Sequence, residues 1–506
     1  MSKKKEVMSF ITANRNQLNF IGYCIDDFVE HDSKSRYIVK IVDQLDLSDL
    51  YNNYSSQGGE AYDPKIMLST WFLGYCEQVT TTRKLEYNCR KNLDFIYVSG
   101  NLKPDHCSLS RFRKRNLDLL SKYFIEIIRL AHKKGMIDFK EIAIDGSKQQ
   151  AVSSKKKSFK QRYLQDYLKA VERDIESYMD KLDEELDNVE KEKYLKRIKR
   201  LNHHREKLQK ANEVLEARKS EIKKEYRETH QVNIEEPDAL MMDGYSGYNI
   251  QIGVDTKTQL IVSADVVQDR NDQKQFSVQH KKIEENIKEA SCSSEGQRVY
   301  IADGGYASYE QIGYVITTGV DAYIPVSKES KPSKEITDKE ERVSSSDFQY
   351  DEKGDCYVCP NGKTLHVKRR ERNKYFQGKV YQTDECCRCP LKSKCLGERN
   401  KTNLRTIKRD DRKVYYERMD KKIKNDKGME IMKKRRITVE PVIGNLKSNM
   451  GYRRFRLRGL ENVKGEFILM CIGHNLNKIF GLLFFYFYYI INRFFRKILL
   501  KPNMAL

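Results

Sequence analysis

Two apolar segments that each end on an aspartate followed by glycine constrain the fold more than any other feature. They are residues 142–146, which contain Asp145, and residues 299–304, which contain Asp303. A short, β-prone apolar run that ends in Asp-Gly is typical of a buried strand that delivers a carboxylate to a sheet edge. Asp-Gly also occurs in turns for conformational reasons alone, so a single copy would carry little weight. Two copies predict an α/β chain with carboxylates at two strand ends.

A third carboxylate, Glu440, lies in a strongly basic segment, residues 435–447. Three carboxylates on separate elements can converge on divalent cations, because hard cations such as Mg²⁺ prefer oxygen ligands. Paired ions can activate an attacking oxygen and stabilise a leaving one in phosphodiester chemistry. Asp145, Asp303 and Glu440 are therefore the candidate catalytic and metal-binding residues.

Two cations accompany Glu440 at helical spacing. Arg436 lies four residues before it and Lys447 seven residues after it, so all three share one face of a helix. Pro441 cannot occupy the middle of a helix without a kink, which predicts that the helix begins near Val439, with Arg436 on the preceding turn. The pattern indicates a carboxylate flanked by two phosphate-binding cations.

Four motifs together carry a resemblance to a known family. They are residues 144–146, residues 247–255, residues 302–306 and the spacing Arg436-x3-Glu440-x6-Lys447. The chain resembles the bacterial insertion-sequence transposases, which carry an Asp-Asp-Glu triad on an RNase H-like core. The resemblance extends from about residue 62 to residue 477. One branch of that family has the signature Tyr-x2-Arg-x3-Glu-x6-Lys, and here Lys433 stands at the tyrosine position.

The resemblance implies a fold, a reaction and a set of partners. The fold would be α/β, with an RNase H-like mixed sheet. Asp145, Asp303 and Glu440 would hold two Mg²⁺ or Mn²⁺ ions for cleavage at the element ends and for 3′-hydroxyl strand transfer. The partners would be double-stranded DNA, as terminal inverted repeats and as target, and a second copy in a synaptic complex. Two alternatives stay open: an inactive, domesticated DNA-binding protein and a structure-specific nuclease without strand transfer.

The overall charge also points to a polyanion, because 95 Lys and Arg face 73 Asp and Glu, which gives a net charge of +22. Basic residues cluster around Phe112 in a predicted helix of the N-terminal region, residues 1–138. Such helices in helix-turn-helix modules lie in a DNA groove, although a solvated helix end has the same composition. The candidate DNA-binding residues of this helix are Arg111, Arg113, Lys114 and Arg115.

A second basic cluster follows the Glu440 segment. Residues 451–458 interleave arginines with Tyr452 and Phe455. This pattern predicts phosphate contacts by Arg453, Arg454 and Arg456 together with stacking of the aromatic rings on unpaired bases.

Residues 159–236 contain neither Gly nor Pro and repeat apolar residues at alternating steps of four and three. That heptad pattern predicts a long antiparallel helical hairpin inserted into the core. The hairpin would serve packing, dimerisation or DNA clamping.

A second predicted insertion, residues 326–428, is rich in cysteine. Cys359, Cys386, Cys389 and Cys395 form two groups that could hold a tetrahedral zinc ion, and so charged a segment has little apolar core of its own. The alternative is a β-rich subdomain with reduced cysteines.

The predicted catalytic core consists of the remaining segments, residues 139–158, 237–325 and 429–480, followed by an apolar and basic tail, residues 481–506. The uninterrupted apolar run of the tail spans about ten residues, half of the roughly twenty that cross a bilayer. A buried or oligomer-forming helix is therefore expected, without a membrane. Twelve cysteines without a signal peptide predict a reducing, cytoplasmic compartment, where a bacterial protein of this kind would associate with the nucleoid.

Overall fold

A computed structural model describes most of the chain. The described residues are 10–11, 24–54, 60–182, 187–221, 230–242, 244–292, 296–326, 343–373, 376–396 and 403–499, without the side chains of 10–11, 220–221, 346 and 485–499. The chain divides into two compact units, Met1–Asn271 with Gln279–Gly296 and Arg436–Leu506, and Asp272–Val278 with Gln297–Arg435. Residues 500–506 of the predicted tail lie outside the described part.

The N-terminal region of the first unit is helical, as predicted. Its helices are α1 Lys34–Val42, α2 Ser48–Asn52, α3 Pro64–Cys76, α4 Thr82–Lys91, α5 Leu93–Val98, α6 His106–Arg115 and α7 Leu120–Lys133. Two short strands, β1 Phe10–Ile11 and β2 Ala61–Tyr62, pair in parallel beside them. Helix α3 begins with Pro64 because Asp63 caps it, accepting a hydrogen bond from the Lys65 amide at 2.9 Å. Nearly every residue of α3 is buried, so it forms the centre of this region.

An antiparallel sheet follows in the same unit. Its strands are β3 Glu141–Gln150, β6 Leu240–Met242, β7 Tyr245–Asp255 and β8 Ile261–Val267. Strand β7 pairs with β3 on one side and with β6 and β8 on the other. Helix α10, Phe276–Glu289, packs against one face of this sheet, where a Cβ atom on Gly253 would lie 2.7 Å from Ile283. Only glycine permits that approach between helix and strand.

The predicted helical hairpin is confirmed. Helices α8 Gln161–Leu182 and α9 Asn188–Glu221 pack along an apolar seam, and strands β4 Ser158–Lys160 and β5 Gln231–Asn233 pair at its base. The seam contains Leu164, Val171, Ile175, Leu201, Leu208, Ala211 and Leu215. Val189 also follows the heptad spacing of residues 159–236 and was therefore expected in the seam, but it is 76% exposed.

The second unit contains two separate sets of strands. Strands β9 Val299–Ile301 and β10 Asp321–Tyr323 pair in parallel, with helix α11 Tyr309–Thr318 between them in sequence. A five-stranded antiparallel sheet follows, with α12 Lys392–Cys395 between its last two strands and α13 Lys413–Lys424 after it. Its strands are β11 Gln349–Asp351, β12 Cys356–Val358, β13 Thr364–Arg372, β14 Gln377–Gln382 and β15 Thr406–Asp410. A small aromatic core holds this sheet together, formed by Phe348, Tyr357, Leu365, Tyr381 and Ile407.

Two long helices end the chain, and both differ from expectation. Helix α14, Asp426–Gly444, runs through Pro441 and leads into a π-helical turn, Asn445–Asn449. The predicted helix start near Val439 is therefore wrong. Helix α15, Leu460–Leu499, continues without a break into the segment predicted to be a separate tail.

Helix α15 contains the one stretch of the described residues that is long and apolar enough to cross a membrane, Leu460–Phe484. Of its most apolar window, 61% is buried inside the fold, where it packs against α3, α7 and β8. The core helix of a soluble protein has the same composition, so this single stretch is consistent with a soluble chain.

Candidate active site

Asp145 lies in the middle of strand β3, not at its end as predicted. The strand continues to Gln150 because its second half pairs with the long strand β7, from Gly146 opposite Gln251 to Gln150 opposite Gly247. The Asp145 side chain therefore projects from the face of the sheet, opposite Ile252, and the residue is only 8% exposed.

Lys447 reaches the same face of β3. Its Nζ donates to Ser147 Oγ at 2.5 Å and to the Lys148 carbonyl at 2.7 Å. Ser147 is two residues from Asp145, and alternate residues of a strand share one face about 7 Å apart. Burial lowers the pKa of the Lys447 ammonium. The structure thus brings two predicted site residues together through Ser147, which the sequence analysis missed and which only its position two residues after Asp145 could have indicated.

Glu440 and Arg436 lie on helix α14, and both are exposed. At a spacing of four residues they share one helical face, as predicted. Lys447 is not on this helix but on the π-helical turn that follows it. The three residues therefore belong to one continuous helical segment with a local change of pitch.

Asp303 lies two residues after the last residue of strand β9 in the second unit, close to the strand end at which it was predicted. Its carboxylate caps a 3₁₀ turn, Gly304–Tyr306, and accepts a hydrogen bond from the Gly305 amide at 2.8 Å. Arg435 lies 3.6 Å from the same carboxylate, and its side chain is 12% exposed. Sequence reasoning had selected the neighbouring Arg436, so Arg435 is a further residue of this site that the analysis missed.

The four cysteines proposed as zinc ligands line one small cavity of about 30 Å³ in the second unit. The Lys363 amide lies 3.3 Å from Cys359 Sγ, and Asn361 Nδ2 lies 3.6 Å from Cys389 Sγ. Burial raises the pKa of Cys395, and the neighbouring thiols Cys386, Cys389 and Cys359 act in the same direction. The structure therefore places all four cysteines around one cavity.

Across the described ranges, however, no three His, Cys, Asp or Glu side chains are gathered as closely as a bound metal ion requires. This holds for the cysteine cavity, where a metal ion would need its ligands to close around it, as metal binding commonly organises its own site.

Three of the four basic residues proposed on helix α6 face outward. Arg111, Lys114 and Arg115 are exposed, whereas the guanidinium of Arg113 lies 4.4 Å above the centre of the Trp71 ring. A cation over an indole face stabilises packing, so Arg113 joins α6 to α3.

The basic segment 451–458 alternates in the structure between buried aromatic and exposed basic side chains. The Tyr452 hydroxyl donates to the Tyr75 carbonyl, and the Phe455 ring meets Tyr248 edge-on at 5.9 Å. Both aromatic residues are at most 5% exposed. Their predicted stacking on unpaired bases is therefore wrong, because both rings already anchor the segment to the protein. The exposed residues are Arg453, Arg454, Arg456 and Arg458.

A buried carboxylate fixes this segment in place. Glu466 accepts hydrogen bonds from the Arg456 amide at 3.0 Å and from the Leu457 amide at 2.8 Å. Burial raises the pKa of Glu466, although these backbone hydrogen bonds oppose the shift. The Phe455 amide also donates to the Gln150 carbonyl at 2.9 Å. The arginines are thus held beside the end of the strand that carries Asp145.

Two segments of the chain match models of protein families, and both models describe transposase domains. Residues 358–480 match the family model described as "Transposase DDE domain", and residues 23–115 match "Transposase domain (DUF772)". No curated protein and no solved structure matches the chain. The two matches indicate a transposase, and the C-terminal match is to a domain of the Asp-Asp-Glu class. Both matches support an insertion-sequence DDE transposase.

Proposed function

We propose that this transposase cuts DNA at the ends of its insertion sequence and joins the freed 3′-hydroxyl to target DNA, with Asp145, Asp303 and Glu440 as its catalytic carboxylates. The observation that carries the proposal is the hydrogen bond from Lys447 to Ser147, which lies two residues after Asp145 on the same face of the sheet. An ammonium group held next to a carboxylate suits a site that must receive a phosphate and a cation together.

The donor chemistry fits divalent metal. The three residues offer carboxylate oxygens, which are the ligands that Mg²⁺ and Mn²⁺ prefer. Asp303 and Glu440 are accessible to ions from solvent, and Asp145 is buried beside polar groups. We propose two ions per site; when bound, they would neutralise charge on the phosphodiester and activate the attacking oxygen.

The cations of the chain would hold the DNA during the reaction. Lys447 has three N–H donors, and Ser147 and Lys148 account for two of them, so a third can reach a phosphate oxygen. Arg436 shares the exposed helix face of Glu440 and can bind a phosphate with both arms of its guanidinium. The exposed arginines of segment 451–458 and of α6 would contact the DNA backbone further away.

An RNase H-like core is the architecture we propose for the catalytic region. Antiparallel strands β3, β7 and β8 in one unit and parallel strands β9 and β10 in the other are the strand types of such a mixed sheet. The carboxylates follow the order strand, strand, helix. We also propose that two copies of the chain act together on paired DNA ends. They would do so at the nucleoid in the cytoplasm.

We further propose that Cys359, Cys386, Cys389 and Cys395 hold a structural zinc ion. The cavity they share lies next to the small aromatic core of the five-stranded sheet, which includes Cys359 and Cys395 among its packed side chains. A sheet with so small a core would gain stability from a metal.

The test uses oligonucleotide duplexes that carry the DNA flanking the reading frame. Asp145→Ala, Asp303→Ala and Glu440→Ala should each abolish cleavage in Mg²⁺ while leaving duplex binding in EDTA unchanged. Glu461→Ala is the matched control, because this carboxylate is 85% exposed and its ion pair with Lys464 lies at the surface.

Three outcomes separate the alternatives. Cleavage followed by joined products supports the transposase. Cleavage by wild-type protein without joined products would indicate the nuclease, and binding without cleavage would indicate the domesticated protein.

A further inference from the structure

Helix α14 continues through Pro441, immediately after Glu440. Proline has no backbone N–H, so the carbonyl four residues earlier, that of Ile437, loses its usual helical donor. A helix interrupted in this way normally kinks or ends. The Ile437 carbonyl therefore needs another donor, from water or from the protein, at the point where the helix presents Glu440.

Gln259 supplies that replacement. Its Nε2 donates to the Ile437 carbonyl at 3.0 Å, and Lys478 Nζ donates to its Oε1 at 2.6 Å. An ammonium group can only donate, so the amide oxygen must face Lys478 and the amide nitrogen must face the helix. The orientation of the side chain is thus set by chemistry.

The backbone of Gln259 is also held in an unusual conformation. Its φ of 60° lies in the left-handed region, which is costly for a residue with a side chain. His474 Nε2 lies 3.0 Å from the Gln259 carbonyl, and Asn445 Nδ2 lies 3.1 Å from His474 Nδ1. Burial lowers the pKa of His474 to about 4, so the neutral ring donates through Nε2 and accepts through Nδ1.

Asn445 is the first residue of the π-helical turn that carries Lys447. One connected set of hydrogen bonds therefore reaches both the helix that presents Glu440 and the turn that presents Lys447.

We infer that Gln259 is a positioning residue: by replacing the hydrogen bond that Pro441 removes, and through His474 and Asn445, it sets the placement of Glu440 and Lys447. The inference rests on the proposed role of Glu440 as a metal ligand. Gln259 would act through the backbone and would not touch metal or DNA.

A double-mutant cycle tests the replacement itself. Gln259→Glu keeps the size of the side chain and the acceptor for Lys478 but removes the donor to Ile437. Pro441→Ala restores the helical N–H. Gln259→Glu should lower the melting temperature in the wild-type background and lower it much less in the Pro441→Ala background. Equal losses in both backgrounds would overturn the inference.

A second measurement separates positioning from general stability. Binding of Mn²⁺ alone to the full-length protein can be followed by electron paramagnetic resonance of the free ion. We expect Gln259→Glu to raise the Mn²⁺ dissociation constant about five-fold, the effect of one net hydrogen bond, and Pro441→Ala to restore it. The matched control is Gln297→Glu, because Gln297 also donates to a backbone carbonyl, that of Gly319 at 2.8 Å.

Asp145→Ala serves as the reference in the same measurement. If it weakens Mn²⁺ binding and Gln259→Glu does not, the positioning role is overturned and the proposed function stands. If neither variant changes Mn²⁺ binding, both are overturned. A fall in melting temperature with unchanged Mn²⁺ binding would make Gln259 a purely structural residue.

Discussion

Asp145 and Asp303 each belong to an Asp-Gly pair at the end of a short apolar run, yet their structural environments differ. Strand β9 ends before Asp303, which caps a turn and keeps 39% of its side chain exposed next to Arg435. Strand β3 continues for five residues past Asp145, which is buried on a sheet face beside Lys447 and Ser147. The difference arises from the partner strand, because only β7 is long enough to pair beyond the aspartate.

Removing each aspartate should give the largest effect and the clearest contrast. Asp145→Ala and Asp303→Ala should both abolish cleavage, because each removes a proposed metal ligand. Asp145→Ala should also cost about 1–3 kcal/mol of unfolding free energy, since its buried polar neighbours lose a partner. Asp303→Ala should cost less, about 0.5–1 kcal/mol, because its carboxylate caps a short turn but is partly exposed. Urea unfolding measures both; equal stability losses would contradict the contrast.

The second largest effect should come from zinc removal, which should unfold part of one unit and not the other. Chelation, or Cys386→Ser, should unfold the five-stranded sheet of the second unit and leave the sheet that carries Asp145 folded, because only the former depends on the proposed metal. Cys387→Ser is the control, since this neighbouring cysteine is exposed and lies outside the cavity. Hydrogen exchange with mass spectrometry locates the unfolding. Protein purified without chelator and free of zinc would refute the site.

Mild acid should act on the buried network behind Lys447. The pKa of His474 is lowered from 6.5 to about 4 in the folded chain, so the unfolded chain binds a proton more readily between these values. Stability should therefore fall as the pH drops from about 6.5 to about 4, by up to about 3 kcal/mol from this residue. His474→Gln should reduce that fall in a melting series across pH. The control is His203→Gln, because the His203 side chain is 70% exposed; an identical flattening in both variants would contradict the assignment.

Salt dependence gives the smallest of the expected effects. Arg453→Ala and Arg456→Ala remove exposed charges beside the strand of Asp145, and each should reduce the log-log slope of duplex affinity against salt by roughly 0.9. Arg372→Ala, an exposed arginine of the second unit, is the comparison. Equal slope changes for all three, measured by fluorescence anisotropy in EDTA, would show that the charge is not concentrated near Asp145.

Local signals predicted much of this fold. The heptad pattern gave the helical hairpin, and the Asp-Gly turn gave the strand end at Asp303, because both depend on residues close in sequence. Long-range contacts account for the failures. Strand β3 extends past Asp145 through pairing with residues about one hundred positions away. Pro441 is tolerated because Gln259 donates to the carbonyl of Ile437, which lies 178 residues further along the chain. No pattern around Pro441 contains that information.

The candidate site also contains residues that local sequence could indicate and residues that only long-range contacts reveal. Glu440, Arg436 and Lys447 could be selected from spacing alone, whereas Ser147 and Arg435 gain meaning only from contacts across the fold. The aromatic residues of segment 451–458 were predicted to stack on nucleic-acid bases. The alternation of arginines and aromatic residues is the same whether the rings face a ligand or the protein interior. Burial of Tyr452 and Phe455 decides between the two.

The pairing of β4 with β5 has a consequence for how the chain is assembled. Ser158 lies opposite Asn233, so the hairpin of α8 and α9 leaves the fold and re-enters it at adjacent points. Directly opposed residues of antiparallel strands are about 5 Å apart, a gap that a two-residue turn can close. A short turn could therefore join Ser158 directly to Asn233 in place of the intervening segment.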